Sequence, residues 1–315
     1  MNLTRIVGLL LTFVASRSEV QVRTADPARR GVALTAFPRI VRLADNVYGY
    51  EEIRQPGFTT VSLFVVGRNG VLVADGQGNP AATRTMLEKI RTVSTLPVRW
   101  YVVGSDHGDH TAGNSELPKD IRYIVHPASR EQLVRDSTAA AASSGRAGQP
   151  PRVVIVPPVA MTSDKESIDL GGITVDVLFL GRAHTGGDLM VHLPREKILF
   201  MSEAYLNRVF PAMRSAYPDD WAQMIDRALA MDVTRYVPGH GFIEEPDVSR
   251  EELLQFRHAL VAVTAEARRL HALRLTQEDA VKAANWGPYK DWFLADQQAA
   301  IAIRRVYDQL EGRIR

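Results

Sequence analysis

Short apolar segments separated by turn-forming residues follow one another along the chain after about Arg30. Runs of about four to eight residues rich in β-branched and aromatic side chains are typical of strands. This pattern predicts strands at 61–66, 70–74, 98–103, 121–125, 153–156, 173–180, 189–193, 197–201 and 235–237. Helical spacing of apolar residues predicts helices after Asn79-Pro80, over 129–142 and over 219–231. Strands that come in hairpins before each helix indicate two sheets packed together, with helices outside.

The composition becomes helical from Ser249 to about Leu310. Ser249 and Glu252 form a capping box, which predicts that a helix begins there, and Thr276 predicts a second cap. We therefore expect a helical C-terminal extension, docked onto the core by an aromatic cluster (Trp286, Tyr289, Trp292 and Phe293).

The first residues have the layout of a secretory signal peptide: a short basic start, an apolar run at 6–15 and then small polar residues. We expect a signal peptide at 1–16, a linker at 17–35, a main domain at 36–246 and the extension at 247–315. The apolar run is about half as long as the roughly 20 residues that span a bilayer, so stable membrane insertion is not expected. The protein is then periplasmic or secreted. A buried N-terminal helix or strand is the alternative.

Composition and charge narrow the classes of partner. Hydrophobic residues make up 45% of the chain and charged residues 23%, which is typical of a globular protein. A net charge of +2 gives no excess that favours nucleic acid or an anionic membrane. The absence of cysteine excludes disulfides, thiolate nucleophiles and cysteine-bound metals. Any metal must therefore be held by His, Asp, Glu or hydroxyl groups.

Two imidazoles and two carboxylates lie within six residues, just after the strand predicted at 98–103. Taken alone, this segment is equally well explained as a polar loop with helix-capping aspartates. His184 and His240, however, each lie in a glycine-containing turn after a further predicted strand. Three turns that carry histidine can converge at one edge of a sandwich, because sites are commonly built in the loops after strands.

The order of these motifs resembles the metallo-β-lactamase superfamily of metal-dependent hydrolases. His107, Asp109 and His110 match the second His, the Asp and the last His of its THxHxDH loop. His184 matches its Gly-His-Thr turn, and His240 its final Gly-His turn. The resemblance covers about residues 38–244 and implies an α/β fold, a four-layer αββα sandwich. It also gives a structural role to Asp75, which matches an early Asp of the family.

Two departures from the family pattern concern the metal ligands. Ser105 stands where the family has its first loop His, and Glu203 stands where it has the bridging Asp. The resemblance then implies one weak site that keeps only His107 and His184. The second site keeps Asp109, His110 and His240, with Glu203 as a fourth ligand or a bridge. It implies zinc, as one or two ions with one dominant site, while manganese or iron stay open.

These residues predict a hydrolase that uses metal-activated water on an acyl-type bond of a small molecule, such as an ester, lactone, thioester or lactam. Asp109 is the candidate catalytic residue that orients the water, with Glu203 as the alternative. Sulfate and phosphate ester cleavage also occur on such scaffolds. Ser105 motivates one rival, a binding protein that has lost turnover, and an iron-dependent oxidoreductase is another.

The sequence allows more than one role for several further side chains. Tyr205, Arg208 and Tyr217 follow Glu203 and are candidates for substrate contact or for ordinary surface polarity. The remaining histidines are expected to be structural or solvated: His126, His192, His258 and His271. The resemblance also allows the C-terminal aromatic cluster to wall the pocket.

Overall fold

The computed structural model describes residues 22–54, 57–143 and 153–314 of the 315-residue chain. The predicted signal peptide at 1–16 and most of the predicted loop at 143–151 lie outside the described residues. No helix among the described residues combines the length and the apolar character needed to cross a bilayer.

The first sheet has six strands in chain order. They are β1 (Arg39–Ala44), β2 (Val47–Arg54), β3 (Phe58–Gly67), β4 (Gly70–Ala74), β5 (Val98–Val102) and β6 (Arg122–Ile124). Neighbours from β1 to β4 pair antiparallel, whereas β4, β5 and β6 pair parallel. The change follows from the connections, because a parallel neighbour requires a crossover and a helix lies between β4 and β5.

The second sheet has five strands in the order β11-β10-β9-β8-β7. They are β7 (Lys165–Asp169), β8 (Thr174–Leu178), β9 (Met190–Leu193), β10 (Ile198–Phe200) and β11 (Arg235–Val237). Only β10 and β11 pair parallel, and a helix again connects them.

The described residues form eight α-helices and four short 3₁₀ helices. The α-helices are α1 (Pro27–Arg30), α2 (Pro80–Arg91), α3 (Gly108–Thr111), α4 (Pro127–Ser143), α5 (Pro218–Leu229), α6 (Pro246–Ala272), α7 (Gln277–Ala283) and α8 (Ala295–Leu310). The 3₁₀ helices are Leu34–Ala36, Asn114–Glu116, Ser202–Ala204 and Gly287–Asp291. As predicted, α2 begins at Asn79-Pro80, where the Asn79 side chain accepts a hydrogen bond from the Ala82 amide. Thr276 caps α7 in the same way.

Three apolar clusters account for the layers. Leu63 and Leu72 of the first sheet share one cluster with Val177 and Val191 of the second, so the sheets pack face to face. The outer face of the first sheet packs on α2 and α4. The outer face of the second sheet packs on α5, α6 and α8. The predicted four-layer αββα sandwich with a helical C-terminal extension is confirmed.

The described part of the predicted linker packs onto the body of the protein. Ala25 is fully buried, and the Arg30 guanidinium donates two hydrogen bonds to the Glu244 carboxylate at 2.6 and 2.8 Å. Arg23 donates to Glu252 on α6 at 3.0 Å. Arg23 and Arg30 of the predicted linker therefore pair with acidic groups of the extension and the main domain.

Two of the predicted elements need correction. Residues 153–156 form no strand, because Pro157 and Pro158 follow and proline both lacks an amide donor and restricts the residue before it. The capping box at Ser249 is also wrong, since α6 begins at Pro246 after the N-cap residue Glu245. Ser249 instead lies inside the helix, where its hydroxyl bonds the backbone of Tyr236 in β11.

Candidate metal centre

The structure brings all six predicted ligands together at the edge where several strands end. They reach this edge by separate routes: His107, Asp109 and His110 after β5, His184 after β8, Glu203 in the 3₁₀ helix after β10, and His240 after β11. Four of the six side chains are more than nine-tenths buried, whereas those of His107 and Asp109 stay 18% and 16% exposed. The convergence of three turns predicted from the sequence is observed.

One group of donors consists of Asp109, His110, Glu203 and His240, whose ligand atoms all lie within 4.8 Å of one another. His240 Nε2 lies 3.0 Å from Asp109 Oδ2 and 3.2 Å from Glu203 Oε1. It lies 3.3 Å from His110 Nε2. Atoms that bind one tetrahedral zinc ion are themselves about 3.3 Å apart, so the donors fit a zinc ion in spacing as well as in type.

A second group consists of His107, His184 and Glu203, again within 4.8 Å. His184 Nε2 lies 3.1 Å from His107 Nδ1 and 3.3 Å from Glu203 Oε1. His107 Nδ1 lies 2.9 Å from Glu203 Oε2. Glu203 belongs to both groups and adds a third donor to His107 and His184, which is the position of a bridge, one of the two roles expected for it.

Ser105 is not part of either donor group. Its buried hydroxyl donates a hydrogen bond of 2.6 Å to Glu203 Oε2. Since a carboxylate oxygen accepts from Ser105 and also faces His107, the serine fixes the direction of the Glu203 side chain toward this pair of residues. The two departures from the family pattern are thus in direct contact.

Asp75 holds the loop that carries the ligands, as the resemblance implied. Its Oδ1 accepts hydrogen bonds from the Gly104 amide at 2.8 Å and the Ser105 amide at 3.3 Å. Its Oδ2 accepts from the Ser202 hydroxyl at 2.5 Å and lies 3.0 Å from His110 Nδ1. One fully buried carboxylate therefore ties the loop after β5 to the turn that carries Glu203.

Two histidines are oriented by groups behind them. The His240 Nδ1 lies 2.8 Å from the Thr59 carbonyl oxygen, which can only accept a hydrogen bond. His107 Nε2 lies 3.1 Å from the Ser215 hydroxyl. Contacts of this kind set the ring orientation and would leave the opposite ring nitrogen available to bind a metal.

The electrostatics of the cluster favour charged forms of both kinds of group. Burial lowers the pKa of His107, but Glu203, with Asp106 and Asp109, outweighs burial and raises the pKa to about 9. Burial likewise lowers the pKa of His110, and Asp75 with Glu203 raises it to about 10. Burial raises the pKa of Glu203, yet His184 and His107 hold it well below its usual range. A cation bound by these groups must therefore displace protons.

Sequence reasoning missed two residues next to the centre. The Arg54 guanidinium, at the end of β2, lies 2.5 Å from Asp109 Oδ2. Ser215 contacts His107 from the loop before α5. Neither residue belongs to a recognisable motif, and both approach the ligands only through the tertiary fold.

Of the three side chains that were candidates for substrate contact, one lies at a cavity beside the candidate metal centre and two do not. Tyr217 lines a cavity of about 500 Å³ beside His107 and Asp109. Tyr205 is buried in the core, and Arg208 pairs with Glu252 at 2.5 Å, so neither faces that cavity. The four remaining histidines lie away from both donor groups, as expected: His126, His192, His258 and His271.

The C-terminal aromatic cluster docks the extension onto the core, as predicted. Trp286 packs edge-on against Phe210, with ring centroids 5.5 Å apart. Phe293 packs at 5.3 Å from Phe58, which in turn lies 4.9 Å from the His240 ring. The aromatic contacts between the extension and the core therefore also support one side of the candidate metal centre.

Solved structures show the same fold at low sequence identity. A stereoselective inverting sec-alkylsulfatase from Pseudomonas sp. matches with a TM-score of 0.64 and 16% identity over 87% of this chain. The match covers 50% of that protein, so this chain spans half its length. A metallo-beta-lactamase from Pontibacter korlensis matches with a TM-score of 0.57 and 20% identity over 70% of this chain and 98% of that one. The metallo-beta-lactamase IND-7 matches with a TM-score of 0.55 and 19% identity over 70% and 97%.

The match of the sequence to a family model shows which family the chain belongs to. No curated protein matches the chain. The model of the metallo-beta-lactamase superfamily matches residues 56–240, which is more than half of the chain. This range contains every residue of the two donor groups. The chain belongs to the metallo-beta-lactamase superfamily.

Proposed function

We propose that the protein is a hydrolase that binds zinc and uses metal-activated water to cleave an acyl-type bond of a small molecule, such as an ester, lactone, thioester or lactam. One observation carries this proposal: two donor groups joined by Glu203 lie beside a polar cavity that His107 and Asp109 line. Enzymes of this superfamily include lactamases and a sulfatase of the same fold, which supports hydrolysis as the reaction class.

The donor set matches the needs of a metallo-hydrolase. Asp109, His110 and His240 supply three ligands, and Glu203 with His107 and His184 supplies a second set. Zinc in these groups would supply a Lewis acid and lower the pKa of water from about 15.7 to about 7. Manganese and iron accept the same donors, so elemental analysis has to identify the ion.

Asp109 is the residue best placed to orient the attacking water. It lines the cavity and keeps part of its side chain exposed, so a water in the cavity can donate a hydrogen bond to it, while Arg54 at 2.5 Å and His240 at 3.0 Å hold its Oδ2. Glu203 does not line the cavity and is held by Ser105 and by His107. We therefore assign Glu203 to metal binding and Asp109 to both binding and catalysis.

The test is elemental analysis of the purified protein together with a panel of ester, lactone, thioester and β-lactam substrates. We expect one to two ions per chain, and Asp109→Ala and His240→Ala should each lose the ion of their own donor group together with activity. His258→Ala is the control, because this histidine is exposed on α6 outside both groups. An enzyme that keeps its activity in both ligand variants would contradict the proposal, and a protein that takes up no ion would favour the binding-protein alternative.

Sulfate ester hydrolysis is a second candidate. The likeness to the sec-alkylsulfatase extends over 87% of this chain, compared with 70% for the lactamases. Release of inorganic sulfate from a secondary alkyl sulfate, measured beside the acyl panel, separates the two reactions.

We also propose that the protein acts outside the cytoplasm, on the basis of the signal peptide predicted at 1–16. Sequencing of the mature N-terminus after cell fractionation tests this. A mature chain that begins at Arg17 in the periplasm or medium is expected, whereas an uncleaved cytoplasmic chain would contradict export.

A further inference from the structure

The cavity of about 500 Å³ beside His107 and Asp109 is lined by three arginines: Arg135, Arg214 and Arg305. They come from α4, from the loop before α5 and from α8. Since α8 lies beyond the residues that the family model matches, part of this wall is supplied by the C-terminal extension.

Arg305 is held in place without a carboxylate partner. Its Nε donates to the Ala216 carbonyl at 2.5 Å and its Nη2 to the Ser215 carbonyl at 3.0 Å. Its guanidinium also lies 5.4 Å from the centroid of the Tyr217 ring. Among the described residues no carboxylate lies within ion-pair distance of it. A guanidinium has five N–H donors, so Nη1 keeps two donors that these hydrogen bonds do not use.

Arg214 is the neighbouring cation and is exposed at the cavity wall. Within 22–54, 57–143 and 153–314 it makes no ion pair or hydrogen bond. The other charged groups of this wall are already engaged on α4: Arg135 donates to Gln132 at 2.7 Å, and Asp136 accepts from Gln132 at 2.9 Å. Asp106 is buried and hydrogen-bonded to Ser129. Arg214 and Arg305 therefore have no ion-pair partner among the described residues, and the carboxylates of Asp106, Asp109 and Asp136 in the same lining leave both guanidinium groups unpaired.

We propose that Arg214 and Arg305 bind an oxyanion of the substrate, either a carboxylate or a sulfate, next to the metal centre. A planar guanidinium matches two oxygen atoms of such a group and binds it through charge-assisted hydrogen bonds. The inference deepens the proposed hydrolase function and rests on it. It makes the substrate an anionic small molecule whose charged group lies toward α8 while its reacting bond faces Asp109.

The test measures binding of inorganic sulfate and of acetate to the zinc-loaded protein from the thermal shift at constant ionic strength. At least one of the two anions is expected to stabilise the protein. The anion that binds more tightly indicates whether the site prefers a sulfate or a carboxylate group. Arg214→Gln is expected to weaken that binding about ten-fold or more. Arg305→Lys keeps the positive charge but removes the planar pair of N–H donors. We therefore expect this variant to weaken anion binding as well. The control is Arg304→Gln, because Arg304 is exposed on the same helix and does not line the cavity.

Zinc content, measured on the same samples, separates this proposal from the function it rests on. Unchanged zinc with weakened anion binding in the Arg214 and Arg305 variants supports the oxyanion site. Anion binding that is equal in all variants and disappears when zinc is removed would place the anion on the metal and overturn the proposal. Absence of stabilisation by both anions would overturn it too. A protein that takes up no zinc but binds an anion through both arginines would reject the proposed hydrolase and keep the oxyanion site.

Discussion

At the scale of single residues, the contact between Ser105 and Glu203 explains how the centre tolerates both departures from the family pattern. A serine hydroxyl is a weaker metal ligand than an imidazole, and it is also shorter. The Glu203 carboxylate, one methylene longer than an aspartate, reaches His107 at 2.9 Å while Ser105 donates to it at 2.6 Å. We infer that the longer acid replaces the missing imidazole as the third donor beside His107 and His184.

This inference predicts a reciprocal effect on metal content. Glu203→Asp should lower the zinc content by about one ion per chain, because the shorter carboxylate leaves His107 and His184 as the only donors of their group. Adding Ser105→His to that variant should restore the ion, because the new imidazole supplies the third donor. Elemental analysis and direct zinc titration check both steps.

Glu166→Asp serves as the control for that comparison, since Glu166 pairs with Arg122 on the surface at 2.6 Å and is remote from the donor groups. If the double variant stays as poor in zinc as Glu203→Asp, Ser105 does not occupy the position of the family's first histidine. Both variants holding as much zinc as the original protein would show that the extra methylene of Glu203 is not what supplies the third donor.

Replacement of Asp75 is predicted to change the free energy of unfolding of the protein. Asp75→Ala removes the acceptor for the amides of Gly104 and Ser105 and for the hydroxyl of Ser202, all buried. Because each buried donor left unpaired costs about 1–3 kcal/mol, we expect a loss of about 3 kcal/mol in the free energy of unfolding. Urea denaturation of the zinc-free protein measures it. Asp45→Ala, at an exposed position, should change it by less than about 0.5 kcal/mol, and an equally small effect at Asp75 would contradict its structural role.

The sequence could predict which residues form the candidate metal centre. It could predict only partly how these residues are distributed between the two donor groups. All six predicted ligands come together because each follows a strand that ends at the same edge. The shared position of Glu203, and the approach of Arg54 and Ser215, depend on distances between side chains far apart in the chain. Spacing along the sequence carries no information on these distances.

At the scale of elements, α6 shows why a local signal can mislead. The pair Ser249 and Glu252 has the spacing of a capping box, yet both side chains serve tertiary contacts. Ser249 accepts from the Tyr236 amide at 2.7 Å and donates to the Tyr236 carbonyl at 3.0 Å, which joins α6 to β11. Glu252 accepts from Arg208 and Arg23. The helix begins earlier, at Pro246, where the fixed φ of proline suits the first turn.

Ser249→Ala should therefore loosen the attachment of α6 to β11 and leave the start of the helix unchanged. The variant leaves the buried Tyr236 amide without an acceptor, and we expect a loss of about 2 kcal/mol in the free energy of unfolding. Hydrogen exchange should speed up at Tyr236 and not at the first turn of α6. The exposed Ser163→Ala is the matched control, and faster exchange confined to residues 246–249 would instead support the capping box.

Strand prediction succeeded where apolar runs were short and bounded by turns, as at β3, β4 and β5. It missed β1, β2 and β7, in which charged residues interrupt the apolar positions. These strands gain their order from the sheets: β2, for example, pairs with β3 over eight residue pairs. Position in the sheet does not account for the missed strands, because β2 lies inside its sheet and the edge strands β6 and β11 were predicted.

At the scale of the whole molecule, the C-terminal extension shares one apolar core with the main domain. Ala302, Ile303 and Val306 of α8 lie in the same buried cluster as Trp221 of α5 and Leu199 of β10. The boundary predicted at 246/247 marks a change in composition from mixed to helical. It does not separate two hydrophobic cores, so we expect the two parts to unfold together.

Calorimetry of the zinc-free protein tests this expectation, because bound metal would itself perturb two-state behaviour. We expect one transition, with equal calorimetric and van't Hoff enthalpies. Ile303→Ala should cost about 2–4 kcal/mol and lower the midpoint of that whole transition, since this fully buried side chain touches the shared core. Val281→Ala, on the exposed side of α7 in the same extension, should leave the midpoint nearly unchanged. Two transitions, of which Ile303→Ala shifts only one, would mean that the extension folds separately, and Arg305 would then belong to a wall that can detach from the metal centre while the main domain stays folded.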